Sequence, residues 1–121
     1  MKLQDLNPNQ IKAVEHIDSP LLVISGAGSG KTRVITNKMI HLIEKHGIQF
    51  DHILAITFTN KAANEMKERV TSFLDMDEDP KWITTFHSMC AKILREDANY
   101  VGFEKNFVIY DEKESERALR L

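Results

Sequence analysis

Apolar residues follow two rhythms along this chain. Two unbroken runs, Leu21-Leu22-Val23-Ile24 and Ile53-Leu54-Ala55-Ile56-Thr57-Phe58, predict strands buried on both faces. Elsewhere apolar positions recur every three or four residues, the spacing of a helix face. A first helix opens with Asn7 as N-cap, Pro8 at N1 and Gln10 at N3, with Leu6 placed to staple onto Ile11. Ile11, Val14 and Ile17 form its stripe, and Ser19-Pro20 breaks it. The first strand covers residues 21–25. A second helix runs from about Lys31 to His46 and stops at Gly47. Thr59 or Asn60 caps a third, with Ala62, Met66, Val70, Phe73 and Leu74 on its core face. Trp82-Ile83-Thr84 predicts a short strand, and Thr85 caps a fourth helix carrying Phe86, Met89, Cys90, Ile93 and Leu94 up to Gly102. Phe107-Val108-Ile109-Tyr110 reads as a further strand or extended segment. Asp111 and Glu114 form a capping box for a last helix, which reaches Leu121 with its apolar face barely begun, as expected for a piece of a longer protein. Strands alternating with helices predict an α/β three-layer domain around a parallel sheet, with ligand at the carboxyl ends of the strands.

The junction between the first strand and second helix carries the chemistry. Ser25-Gly26-Ala27-Gly28-Ser29-Gly30-Lys31-Thr32 is a glycine-rich loop between strand and helix, the context of a phosphate-binding loop. Glycines let successive backbone N–H groups curl around phosphate oxygens, and the next helix points its positive end at the same anion. Lys31 adds a full charge, and the Thr32 hydroxyl suits Mg²⁺. The usual pattern opens with glycine where this chain has Ser25. The bland alternative is a glycine-rich turn ahead of a helix.

Composition narrows the field only a little. The chain has 121 residues and a net charge of −2, so no broad basic field draws in nucleic acid and any contact with it must be local. Cys90 is the single cysteine, which rules out an intrachain disulfide and fits a reducing cytosol. No apolar run is long enough for a bilayer, and the start does not read as a signal peptide. The acidic stretch from Asp75 to Asp79 reads as a solvated loop without chemistry.

Four stretches in order, Leu6-Asn7-Pro8-Asn9-Gln10, Gly26 to Arg33, Thr57 to Met66 and Thr85-Phe86-His87-Ser88, together resemble the amino-terminal motifs of superfamily 1A DNA helicases of the UvrD/PcrA/Rep type. The family's loop does not demand glycine at the Ser25 position. The resemblance implies a RecA-like P-loop NTPase fold, truncated here. Residues 1–105 would be the first part of the ATP-binding domain, and residues 106–121 the start of an inserted helical subdomain. It implies ATP and Mg²⁺ as cofactors, with Gly26, Ala27, Gly28, Ser29, Gly30, Lys31 and Thr32 around the phosphates. Gln10 matches an adenine-reading glutamine, whose amide can pair bidentately with the base; as a helix N3 residue it is equally one half of a capping box. Arg33 matches an arginine that stacks on adenine, and otherwise reads as a solvent-facing cation in a helix's first turn.

On the DNA side, Phe58 matches a residue that stacks on a base, against the reading of a core phenylalanine. Thr59, Asn60 and Lys61 follow at a helix N-terminus suited to phosphate. His87 and Ser88 match a second DNA-contacting segment; a lone histidine is otherwise a cap-region hydrogen bonder. The implied partners are single-stranded DNA, single-strand/duplex junctions and the rest of the protein's own chain, including a second RecA-like domain. The implied activity is ATP-driven translocation and unwinding of 3′-to-5′ polarity in the cytoplasm, with these 121 residues alone hydrolysing ATP poorly or not at all.

Two other classes fit parts of the chain. Phe107 to Glu112, four apolar residues and then Asp-Glu, has the form of a Walker B strand, which would make the chain a compact P-loop kinase or small NTPase. The family's own version continues differently after Asp-Glu, and Asp111 also reads as a helix N-cap. A non-catalytic nucleotide- or DNA-binding module is the third class.

Overall fold

The computed structural model describes residues 5–26, 28 and 30–120. Two compact units follow one another, residues 1–86 and 87–121.

The first unit is built on a β-α-β crossover. Strand β1, Ala55–Thr57, leads into helix α3, Asn60–Leu74, which returns the chain to strand β2, Ile83–Thr85. β1 and β2 pair in parallel, with Ala55 opposite Ile83, Ile56 opposite Thr84 and Thr57 opposite Thr85. Ahead of them lie α1, Pro8–Glu15, and α2, Lys31–His46. α1 opens with the expected capping box: the Asn7 side chain accepts from the Gln10 N–H, and the Gln10 side chain accepts from the Asn7 N–H, both at 2.9 Å. α2 ends where Gly47 takes a left-handed conformation, φ 64°, which glycine adopts without a Cβ penalty.

Two apolar clusters hold this unit. Met39, Ala55, Met66, Val70 and Ile83 pack with Ile53 and Leu74 between α2, α3 and the strands. Leu6, Ala13, Val14 and Val34 pack with Ile11 between α1 and α2, so Leu6 and Ile11 belong to one cluster. The buried stripe of α3 runs through Ala63, Met66 and Val70, whereas Ala62 is half-buried and Phe73 is exposed. Ile17 lies outside the stripe of α1 because that helix has already ended at Glu15.

The sheet is smaller than the apolar runs predicted. Residues 21–25 form no strand, and Leu22 and Ile24 are 82% and 87% exposed. A strand exists through its ladder of hydrogen bonds, and no described residue offers these five a ladder. The described sheet therefore has two strands, β1 being a three-residue core of the longer run at 53–58. The molecule is α/β with a small parallel sheet.

In the second unit most of α4, Phe86–Asp97, is followed by a 3-10 turn at Ala98–Val101 and by α5, Glu112–Leu119. The expected apolar face of α4 is not covered among the described residues: Phe86, Ile93 and Leu94 are exposed, and Met89 and Cys90 only half-buried. Cys90 is thus not a core residue. Arg95 secures the returning chain, donating to the Lys105 carbonyl at 2.9 Å with its guanidinium 4.7 Å from the Phe107 ring centre. Residues 107–110 form no strand.

Candidate functional site

Polar side chains from three helices line a cavity of about 500 Å³ at the start of α2. Gln10 comes from α1, Gly28 and Gly30 from the loop, Lys31, Thr32 and Arg33 from the first turn of α2, and Arg69 from α3. Gly28 and Gly30 have φ of 75° and 85°, left-handed values that let the loop turn sharply into the helix. At Gly30 the torsion demands glycine, and any side chain would also displace the Gln10 amide. A Cβ there would lie 2.9 Å from the Gln10 amide nitrogen, closer than real Cβ atoms approach. Ala27 and Ser29, two of the expected loop residues, lie outside the described residues; Gly26 is described and exposed.

The first turn of α2 is fastened from below. The Thr36 hydroxyl donates to the Thr32 carbonyl and the Asn37 amide to the Arg33 carbonyl, both at 2.8 Å, and both side chains are buried. Arg33 reaches across to the segment ahead of α1, where Nη1 donates to the Asp5 carbonyl at 3.3 Å. The cavity thus collects three cationic groups, Lys31, Arg33 and Arg69, at the positive end of a 16-residue helix. Among the described residues no carboxylate lines it. A polyanion fits that donor set, and for a divalent cation the lining offers the Thr32 hydroxyl, Mg²⁺ taking its remaining ligands from phosphate and water in such sites. Among the described residues no three metal-ligating side chains gather.

Gln10 is the capping-box residue it was expected to be, and it also lines the cavity. Its Oε1 closes the α1 capping box, while its amide nitrogen faces Gly30 in the cavity. Arg69 was not anticipated. It sits in the middle of α3, far along the chain from the loop, and only the packing of α3 beside α2 reveals it.

The DNA-side residues divide between the units. Phe58, just past the end of β1, is 99% exposed and does not belong to the core. The Thr57 hydroxyl donates to the Thr59 carbonyl at 2.9 Å, bridging over Phe58. The Thr59 hydroxyl accepts from the Ala62 N–H at 3.1 Å, so this oxygen serves as the α3 cap. Asn60 and Lys61 are exposed on the first turn of α3. In the second unit His87 is exposed and Ser88 half-buried near the start of α4.

Asp111 is committed elsewhere. Its Oδ1 accepts from the Glu114 N–H at 2.7 Å, and Glu114 Oε2 accepts from the Asp111 N–H at 2.9 Å, a reciprocal N-cap of α5. The residues before it form no strand, which removes the support for a Walker B reading.

Residues 6–121 match the UvrD/REP helicase N-terminal domain. Over 109 residues, 90% of this chain and 15% of the relative, the sequence is 54% identical to the ATP-dependent DNA helicase PcrA of Bacillus subtilis. It is 45% identical over 118 residues to the protein of the same name from Staphylococcus aureus, covering 98% of this chain and 16% of that one. It is 50% identical over 115 residues to a probable DNA helicase II homolog of Mycoplasma capricolum, covering 95% and 16%. The chain thus spans about one-sixth of the length of these relatives. With this match over residues 6–121, nearly all of its length, the chain belongs to the UvrD/REP helicase N-terminal domain family.

Proposed function

We propose that this chain is the nucleotide-gripping part of an ATP-dependent DNA helicase that moves on single-stranded DNA and opens duplex at single-strand/duplex junctions, with 3′-to-5′ polarity. The observation that carries this is the cavity in which Gln10, Gly30, Lys31, Thr32, Arg33 and Arg69 converge at the N-terminus of α2. Lys31 neutralises charge on the outer phosphates, most of all as charge develops during transfer. The amides of the loop, from Gly26 through Ala27, Gly28 and Ser29 to Gly30, cradle the remaining phosphate oxygens. Thr32 holds Mg²⁺, which when bound neutralises the phosphate oxygens. Gln10 and Arg33 face the base, one pairing with its edge and the other stacking on its plane. Arg69 adds a second guanidinium on the phosphate side.

On the opposite task, Phe58 offers a base an aromatic ledge, and Thr59, Asn60, Lys61, His87 and Ser88 meet the strand backbone. The exposed apolar run at 21–24 supports a three-layer P-loop fold in which this run is a paired strand. Residues 106–121 open the helical subdomain, and the second RecA-like domain comes from the remainder of the protein. No helix among the described residues is long and apolar enough to cross a membrane, and a cytoplasmic setting suits a DNA motor.

Titration of this chain with Mg-ATP, and separately with labelled oligo-dT at several salt concentrations, tests the proposal. Saturable ATP binding lost in Lys31→Ala, with salt-dependent strand binding weakened in Phe58→Ala, is the expected result. ATP binding that Lys31→Ala leaves intact overturns it.

A further inference from the structure

The nucleotide cavity depends on how α1 lies against α2, because Gln10 comes from one helix and Lys31 to Arg33 from the other. The apolar cluster between them, with Val14 and Val34 at its centre, holds the helices together. Such contact is non-directional and does not by itself stop an eight-residue helix from sliding. Two side chains of α2 bond across to this part of the chain, one ahead of α1 and one at its end. Ahead of it Arg33 donates to the Asp5 carbonyl. At its end Lys38 Nζ donates to the Ala13 carbonyl at 2.9 Å and also to the His16 carbonyl.

These are carbonyls of the last turn and C-cap, which have no acceptor role inside the helix and carry the negative end of its dipole. Among the described residues no carboxylate pairs with Lys38. Burial pushes its pKa below the usual lysine value, so a half-buried cation is kept here for two backbone oxygens alone. It lies seven residues beyond Lys31 on α2, about 10 Å along the axis, and is not among the residues lining the nucleotide cavity.

We infer that Lys38 is a positioning residue for base selection: it pins the end of α1 to α2, so that Gln10 stays set against the phosphate loop and the site chooses adenine over guanine. This rests on Gln10 as the adenine reader. Lys38 acts through α1, so its loss spares the grip on the triphosphate, which the loop, the first turn of α2 and Arg69 make without α1.

Two measurements on the 121-residue chain, in wild type, Lys38→Met, Lys38→Arg and Gln10→Ala, test it. Hydrogen exchange without ligand comes first. Lys38→Met is expected to speed exchange of the α1 amides about tenfold, against a global opening free energy of several kcal/mol, with α3 amides unchanged and Lys38→Arg close to wild type. Unmoved α1 amides overturn the inference whatever the nucleotides do. Competition between ATP and GTP comes second. Lys38→Met is expected to lose the ATP preference as Gln10→Ala does, with GTP affinity held within about twofold, under 0.5 kcal/mol. An ATP preference that survives Lys38→Met, or equal weakening of both nucleotides, overturns the Lys38 role alone. A wild-type chain that holds both nucleotides equally overturns the adenine reading and the Lys38 role with it.

Discussion

One amide group at position 10 works in two directions. Its oxygen finishes a helix cap and its nitrogen looks into the phosphate cavity. A second lone pair remains on the oxygen, so cap and base recognition are compatible in one rotamer. Lys31 and Phe58 separate more cleanly. With Mg-ATP at a hundred times its Kd, linkage adds about 2.7 kcal/mol, or roughly 10 °C in melting temperature. Thermal melts of Lys31→Ala should lack that shift. Phe58→Ala should weaken oligo-dT binding by about 1–3 kcal/mol in anisotropy titrations and leave the melting temperature unchanged, since the ring touches almost nothing in the fold. Lys38 gives a pH prediction. Its folded pKa lies below the ordinary 10.5, so between the two values the unfolded chain holds a proton that the folded chain has released. Unfolding therefore takes up a proton in that window, and stability should rise with pH there. Urea midpoints across it should slope upward in wild type and flatten in Lys38→Met. At this scale the shared cavity of Gln10, Gly28, Gly30, Lys31, Thr32 and Arg33 was legible because these residues stand at a helix start or in its preceding loop. Arg69 was not, because only the packing of α3 beside α2 makes it part of the site.

Helices and strands were legible to different degrees for one physical reason. A helix closes its own hydrogen bonds, and its ends are marked by nearby residues. Asn7 with Gln10, Gly47, Thr59 and Asp111 with Glu114 all stand at the helix ends they announced. A strand needs a distant partner, so the run at 21–24 could show its apolar character but not whether anything would pair with it. The caps can be tested directly. Asn7→Ala should cost about 0.5–2 kcal/mol in urea denaturation followed by circular dichroism, since it removes the acceptor for the Gln10 N–H. Asp111→Ala should speed hydrogen exchange in α5 while ATP affinity stays at the wild-type value. A loss of ATP affinity there would restore Asp111 to the nucleotide site.

Across the molecule, cohesion is uneven. Both buried clusters lie in residues 1–86, whereas the second unit buries only Ala98 completely among its described residues. Native-state hydrogen exchange should therefore find the amides of α4 and α5 opening well before those of α3. Within the first unit, α3 ties two surfaces together. It starts two residues after the aromatic ring of Phe58, and ten residues on from Thr59, about 15 Å of helix, it delivers Arg69 to the phosphate cavity. A helix transmits axial displacement with little give, and no glycine or proline interrupts this one. An anion drawing Arg69 inward would thus tug on a rod whose N-cap immediately follows Phe58, a stiff lever running from the cavity toward the exposed ring.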